Sequence, residues 1–181
     1  AETNRTGELR IWSAGCATGE EAYSLAILVS EVLNDRVERF NVKIFSTDLD
    51  PEAVAFARRG IYPASALANM PNHLVKRYFT ERNGNYEVSH MIRRLTVFGE
   101  HDLAQRAPFP RIDMVVCRNV LIYFTRELQQ RTLRLFAFSL RNDGYLVLGK
   151  AETVSPSGEH FVTDYPQLKI YRRRGERLLI P

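Results

Sequence analysis

The stretch Leu9-Arg-Ile-Trp-Ser-Ala-Gly-Cys-Ala-Thr-Gly-Glu-Glu-Ala-Tyr-Ser24 constrains the fold more than any other part of the chain. Leu9 to Ala14 is short, apolar-rich and closed by a glycine, the pattern of a buried strand. From Glu21 to Leu33, the residues Ala22, Leu25, Ala26, Val29 and Leu33 fall at helical spacing. Between them Gly15-Cys-Ala-Thr-Gly19 is a tight strand-to-helix turn. Gly15 and Gly19 lack a Cβ, so a ligand or a neighbouring backbone can come close there. Thr18 and Glu21 have the spacing of a capping box, which predicts that the hydroxyl takes a free helix amide and the carboxylate returns to the cap's own N–H.

Such turns commonly cradle phosphate, because the free amides and the helix dipole favour anions. Here Glu20 and Glu21 already place negative charge on that end, and the dinucleotide fingerprint Gly-x-Gly-x-x-Gly is absent. A ligand that is cationic where it meets the turn fits better than a pyrophosphate. S-adenosylmethionine, with a sulfonium and an ammonium, has that character. The same residues also describe a capped helix start that binds nothing, and the turn alone does not separate the two.

With 181 residues the chain has room for one domain with a full core. Its 45% hydrophobic and 25% charged content is that of an ordinary globular protein. No apolar run approaches the length that spans a bilayer, and the N-terminus lacks a signal-peptide profile, so a cytoplasmic location without direct membrane insertion is expected. Cys16 and Cys117 have no metal-ligand spacing and sit beside apolar strands, as reduced thiols do; no metal is expected. The net charge of +4 favours an acidic partner slightly, while a solvated face is the better account of the scattered arginines.

Val42-Lys-Ile-Phe-Ser-Thr-Asp48 predicts a second strand, and a helix follows from Pro51 with Asp50 as its cap. Asp48 is not needed for that cap. In nucleotide-binding α/β sheets the acid closing the second strand takes the ribose hydroxyls, since one carboxylate can accept two O–H bonds; an ordinary turn residue is the alternative. Gly60 to Met70 reads as irregular, Asn72 to Phe79 as a short helix, and Asn83-Gly84 as a hairpin turn. Strand-like runs follow at Tyr86–Ser89 and Leu95–Phe98. This breaks the plain βαβ alternation and marks a small inserted β-subdomain over about 72–98, whose last run continues towards His101-Asp102-Leu103. Ile112-Asp-Met-Val-Val-Cys117 is the most strand-like run of all. A helix capped by Thr125 is expected to about Leu140, then a turn at Asn142-Asp-Gly144, a buried strand over Tyr145–Gly149 and a closing antiparallel pair at Phe161–Val162 and Leu168–Tyr171. The order predicts an α/β fold, a mostly parallel sheet flanked by helices with an antiparallel edge strand.

Several strand ends carry polar groups with chemical potential. Asp102 could bond an adenine amino group. Arg118 could hold an acidic substrate or be an ordinary surface arginine, and Tyr123 could orient a reacting oxygen or belong to the core. Cys117 invites a nucleophile reading, but no proline precedes it and a small buried residue suits a central strand.

Four motifs in order, Trp12-Ser-Ala-Gly-Cys-Ala-Thr-Gly-Glu-Glu-Ala-Tyr-Ser24, Phe45-Ser-Thr-Asp-Leu-Asp50, Arg59-Gly-Ile-Tyr62 and Cys117-Arg-Asn-Val-Leu-Ile-Tyr-Phe124, carry a resemblance over Leu9 to Tyr171 to the chemotaxis receptor methyltransferases, the CheR family. The resemblance implies a class I S-adenosylmethionine methyltransferase (Rossmann-like) fold and methyl transfer to receptor glutamates. It places Gly15, Glu20 and Glu21 beside the methionine part of the cofactor and Asp48 on the ribose. Asp102 and Leu103 come near the adenine, Asn119 and Val120 beneath the cofactor, and Tyr123 beside the transferred methyl. Ala14 and Leu49 complete the implied cofactor contacts.

Members of the family usually carry an N-terminal helical domain that covers the cofactor. This chain starts at the first strand, so that domain is expected to be absent, the chain to be a piece of a longer protein, and its own methyl transfer to be slight. Many members have Gly-His-Ser-Glu where this chain has Gly149-Lys-Ala-Glu152, and Asn where Asp102 stands. From Gly149 to Arg174 it resembles the methyltransferase segment of methylesterase–methyltransferase fusion proteins. A non-catalytic module that binds S-adenosylmethionine or its product S-adenosylhomocysteine and regulates attached domains is a second reading. Nucleic acid is not an expected partner, because Arg118-Asn-Val-Leu121 lacks the Pro-Pro-aromatic stretch that flanks a flipped base in amino-methylating enzymes. The expected partners are acidic methylation helices of a receptor or signalling protein. Members that dock a receptor's tail pentapeptide share a glycine-rich hairpin extension; Glu81-Arg-Asn-Gly-Asn85 has none, so no such docking is expected.

Overall fold

A computed structural model of the chain describes residues 7–104, 109–155 and 158–175. In chain order the elements are β1 (Glu8–Ala14), α1 (Glu20–Leu33), β2 (Asn41–Asp48), α2 (Pro51–Arg59), β3 (Ile61–Pro63), α3 (Asn72–Tyr78), β4 (Phe79–Arg82), β5 (Asn85–Val88), α4 (His90–Arg93), β6 (Thr96–Glu100), β7 (Ile112–Cys117), α5 (Arg126–Ser139), β8 (Leu140–Leu148), β9 (Phe161–Tyr165) and β10 (Ile170–Arg173). They fall into two compact units, one built on Cys16–Glu100 and the other on Leu9–Gly15 with the chain from His101 onward.

In the first unit β2 and β6 pair in parallel, from Ile44 opposite Thr96 to Asp48 opposite Glu100. The helices bury Ala22, Tyr23, Ala26 and Ile27 from α1 and Val54 and Ala57 from α2. Of the α1 residues expected to face inward only Ala22 and Ala26 are buried, while Leu25, Val29 and Leu33 are half-buried, because Tyr23 and Ile27 rotate the buried face. α2 starts as expected: the Asp50 carboxylate accepts the Glu52 and Ala53 amides at 2.8 and 3.3 Å, with Pro51 in the first turn. α1 does not. Its cap is Gly19 at φ 92, with no side-chain cap bond, and the Thr18 hydroxyl donates to the Glu20 carboxylate at 2.7 Å instead. The left-handed glycine moves the helix start past Thr18, which puts the expected capping box out of register.

The same unit holds a second sheet, in the order β3-β5-β4. Asn83 and Gly84 join β4 to β5 with φ of 52° and 75°, the backbone of a type I′ hairpin. β3 lies in the stretch read as irregular and gains its strand form by pairing with β5, Tyr62 opposite Tyr86. The run Leu95–Phe98 divides: Leu95 closes the turn after α4, its amide donating to Ile92 at 3.1 Å, and β6 starts at Thr96.

In the second unit β1, β7 and β8 run parallel, with Trp12 opposite Val115 and Val115 opposite Leu146. β10 and β9 extend them antiparallel, Tyr171 facing Leu146 and Thr163. This is the α/β class with parallel strands and an antiparallel edge that the sequence predicts. Trp12 is fully buried and meets the rings of Phe136, Phe109 and His101 edge-on, at 5.4, 5.7 and 6.0 Å. α5 is capped by Thr125, whose hydroxyl accepts the Leu128 amide at 3.3 Å. The turn expected at Asn142-Asp-Gly144 is instead an irregularity inside β8: the register shifts opposite Ile112–Met114, with Asp143 at φ 63. No helix among the described residues is long and apolar enough to cross a membrane.

Candidate functional site

β1 ends at the fully buried Ala14, and Gly15 follows at φ 77. A Cβ on Gly15 would stand 2.4 Å from Cγ2 of Val120. Only glycine lets the backbone lie against that side chain. Two of the residues singled out from the sequence, Gly15 and Val120, are thereby in contact.

In the first unit the turn Cys16–Glu20 is held from three sides. The Cys16 amide donates to the Thr47 carbonyl at 2.9 Å. The Ala17 amide, on a residue at φ 45, donates to Asp48 Oδ2 at 2.7 Å. The Tyr62 hydroxyl donates to the Thr18 carbonyl at 2.7 Å. Asp48 Oδ1 accepts the Asp50 amide at 3.0 Å. An ionised carboxylate offers about four acceptor positions, so this half-buried group retains capacity for hydroxyl donors. Leu49 beside it is 70% exposed; Glu20 is exposed and Glu21 half-buried.

Tyr62 holds this turn, a role the sequence reading overlooked. It stood in a recognised motif without a role, and the structure gives it one: it fixes the carbonyl of Thr18. Burial raises the pKa of its hydroxyl, which stays protonated as a donor. Gly19 packs against the same group, its Cβ position 2.7 Å from Cβ of Ala57 and 3.1 Å from the Tyr62 hydroxyl. Cys16 is buried as well, and burial, reinforced by Asp48, pushes its thiol up to about 12. It is a protonated filler rather than a nucleophile.

In the second unit β7 ends at Cys117, which is fully buried, a core residue as its place in a central strand suggests. Arg118 and Asn119 are exposed, Asn119 at φ 59. Leu121–Tyr123 forms one 3-10 turn, with the Tyr123 amide donating to Val120 at 3.1 Å. Leu121 is buried, whereas Ile122 is 49% and Tyr123 81% exposed. Core packing therefore does not account for Tyr123.

The loop's amides converge on Glu152, the second overlooked residue. Val120 and Leu121 donate to Oε1 at 2.9 and 2.8 Å, and Asn119 and Gly149 to Oε2 at 3.0 and 2.6 Å. Elsewhere in this unit Asp102, half-buried, accepts the Ala104 amide at 2.8 Å, and Leu103 is buried.

Residues 1–167 match the family model described as "CheR methyltransferase, SAM binding domain". The chain belongs to the CheR methyltransferase family. It is 37% identical to the chemotaxis protein methyltransferase of Escherichia coli K12 over 158 residues, 83% of this chain and 54% of that protein. The chemotaxis protein methyltransferase of Borreliella burgdorferi is 33% identical, again over 83% of this chain and 54% of its own. An uncharacterized 104.1 kDa protein of Rhodobacter capsulatus is 44% identical over 81% of this chain, which corresponds to 15% of that protein. The chain thus spans about half the length of the two chemotaxis relatives. Among solved structures, the glycopeptide N-methyltransferase MtfA complexed with sinefungin has a TM-score of 0.51 at 12% identity, over 77% of this chain and 42% of that one; the two share a fold. The matched CheR domain is the one that binds S-adenosylmethionine, which is its cofactor. The Asp48 carboxylate, with acceptor positions left beside its two backbone amides, has the chemistry to take hydroxyl groups of such a ligand.

Proposed function

We propose that residues 1–181 form the cofactor domain of a protein-glutamate O-methyltransferase acting in chemotaxis or a related signalling system, with the small sheet around β4 and β5 as its inserted β-subdomain. The observation that carries this reading is the 37% identity to a chemotaxis protein methyltransferase across 83% of the chain.

S-adenosylmethionine supplies the methyl group. In this reading Asp48 accepts the ribose hydroxyls with the positions its two backbone amides leave free, and Gly15 lets the ligand come close to the backbone. Glu20 and Glu21 attract its cationic part, and Asp102 accepts from the adenine amino group. Ala14, Leu49, Leu103, Asn119 and Val120 supply the remaining contacts. Tyr123 presents an exposed hydroxyl that orients the substrate carboxylate, and Arg118 holds the acidic partner. A glutamate side chain, with an intrinsic pKa of about 4.3, is already ionised at neutral pH, so no strong base is required. The rate comes from aligning its oxygen with the methyl carbon and stripping water from the carboxylate.

The substrate is engaged in the cytoplasm through acidic methylation helices, with affinity falling as salt rises. A tail pentapeptide does not dock on the small sheet, whose hairpin turn is only Asn83-Gly84. The test is incubation of the full-length gene product with methyl-labelled S-adenosylmethionine and a chemoreceptor. Label released as methanol by mild base is expected; base-stable label, or cofactor binding without transfer, contradicts the proposal.

A further inference from the structure

Glu152 is 4% exposed and accepts four backbone amides, two on each oxygen. Three of the donors are the consecutive residues Asn119, Val120 and Leu121, and the fourth is Gly149 at the end of β8. Consecutive amides point to one side only when the chain bends sharply, and here the bend includes Asn119 at φ 59. An L residue adopts that conformation at a cost that local hydrogen bonds must offset. The fit on the other side is equally close: a Cβ on Gly149 would stand 2.6 Å from Glu152 Oε2 and 2.8 Å from Asn119 Oδ1. Lys150 and Ala151, between Gly149 and Glu152, are exposed, so the tetrapeptide turns its last side chain inward.

We propose that Glu152 is the positioning residue of the loop Arg118–Tyr123, its buried carboxylate imposing the bend that presents Asn119, Val120 and Tyr123. The inference rests on the cofactor reading of that loop given above. Only a carboxylate meets the demand, because both oxygens must accept twice. A Gln side chain has the same shape but replaces one oxygen with an NH₂, which faces two N–H donors whichever way it is turned. The loop must then release two amides and relax its bend.

The test compares Glu152→Gln with Leu133→Ala, a buried α5 substitution in the same unit, and reads affinity for S-adenosylhomocysteine by calorimetry at a temperature where every variant is folded. Glu152→Gln is expected to weaken binding at least tenfold and to shift the amide proton signals of Asn119, Val120, Leu121 and Gly149, leaving those of Thr163 and Tyr171 in place. Leu133→Ala, though destabilised, is expected to bind within twofold of the unaltered chain. Equal affinity of Glu152→Gln and the unaltered chain, unmoved loop amides, or an equal loss in Leu133→Ala would overturn the inference. Failure of the unaltered chain to bind would overturn the cofactor reading itself, while the amide signals would still decide whether Glu152 holds the loop. Should Glu152→Gln fail to fold, Gly149→Ala presses on the same carboxylate and gives the same readouts.

Discussion

The turn after β1 and the loop after β7 each follow the carboxyl end of a parallel strand, and each carries residues proposed to meet the cofactor, yet they are held in different ways. Cys16–Glu20 is restrained piecemeal: Thr47 takes one amide, Asp48 a second, and Tyr62 the carbonyl of Thr18. The amides of the loop after β7 converge on one acceptor, Glu152, which takes three of them, while the Gln129 side chain donates to the carbonyls of Leu121 and Phe124 at 2.9 and 3.2 Å. Distributed restraint degrades by steps when one group is lost, whereas a single buried acceptor fails all at once. The two regions should therefore respond differently to single substitutions.

Glu152→Ala is the largest expected effect. It leaves four amides without their acceptor, and we expect a loss of about 3–5 kcal/mol in denaturant unfolding. A loss below about 1 kcal/mol would show that water or a neighbour satisfies the loop and would erase the contrast. Gly15→Ala comes next, at about 2–4 kcal/mol, because it combines a left-handed φ of 77° with a Cβ 2.4 Å from Val120. Tyr62→Phe should cost only about 1–2 kcal/mol, since one of three restraints on the first turn is removed; thermal unfolding with bound and free S-adenosylhomocysteine would measure it. A cost matching that of Glu152→Ala would mean that the first turn also depends on a single group.

The smallest effect concerns pH. The Cys16 thiol is raised from 9.0 to about 12 when folded, so the folded state keeps a proton that the unfolded chain releases. Its contribution is fully present below pH 9 and is lost as pH rises towards 12. Tyr78, pushed from 10.0 to about 12 by burial and by its bond to Glu31, adds to the same alkaline slope. Urea unfolding at pH 8 and pH 10.5 should show a decline that Cys16→Ala makes shallower. An unchanged slope in that variant would mean that the thiol ionises freely and that the first turn is more open than its burial implies.

What the sequence made legible was local. Asp50 before Pro51, Thr125 before α5 and Asn83-Gly84 each carry their structural meaning within a few residues, and each stands as read. The capping box at Thr18 and Glu21 was local too, but its spacing competes with the left-handed Gly19, and the glycine determines where α1 starts. The groups that hold the site act over distance. Tyr62 reaches back 44 residues to Thr18, and Glu152 reaches 33 to Asn119. No periodicity or spacing rule connects such pairs, and β3 was missed for the same reason, its strand form coming from β5. Inside the quoted motifs, the hydroxyl of Arg59-Gly-Ile-Tyr62 and the carboxylate closing Gly149-Lys-Ala-Glu152 were the available signals, visible as residues but silent about their partners.

In the proposed function this chain binds S-adenosylmethionine and its product through the acid at the end of β2. Calorimetric titration of the chain and of Asp48→Ala with S-adenosylhomocysteine tests it most directly. We predict saturable binding by the unaltered chain and a loss of about 1–3 kcal/mol in the variant, the worth of charge-assisted hydrogen bonds, with circular dichroism showing the fold intact. No binding by the chain, or the same affinity in both, would contradict it.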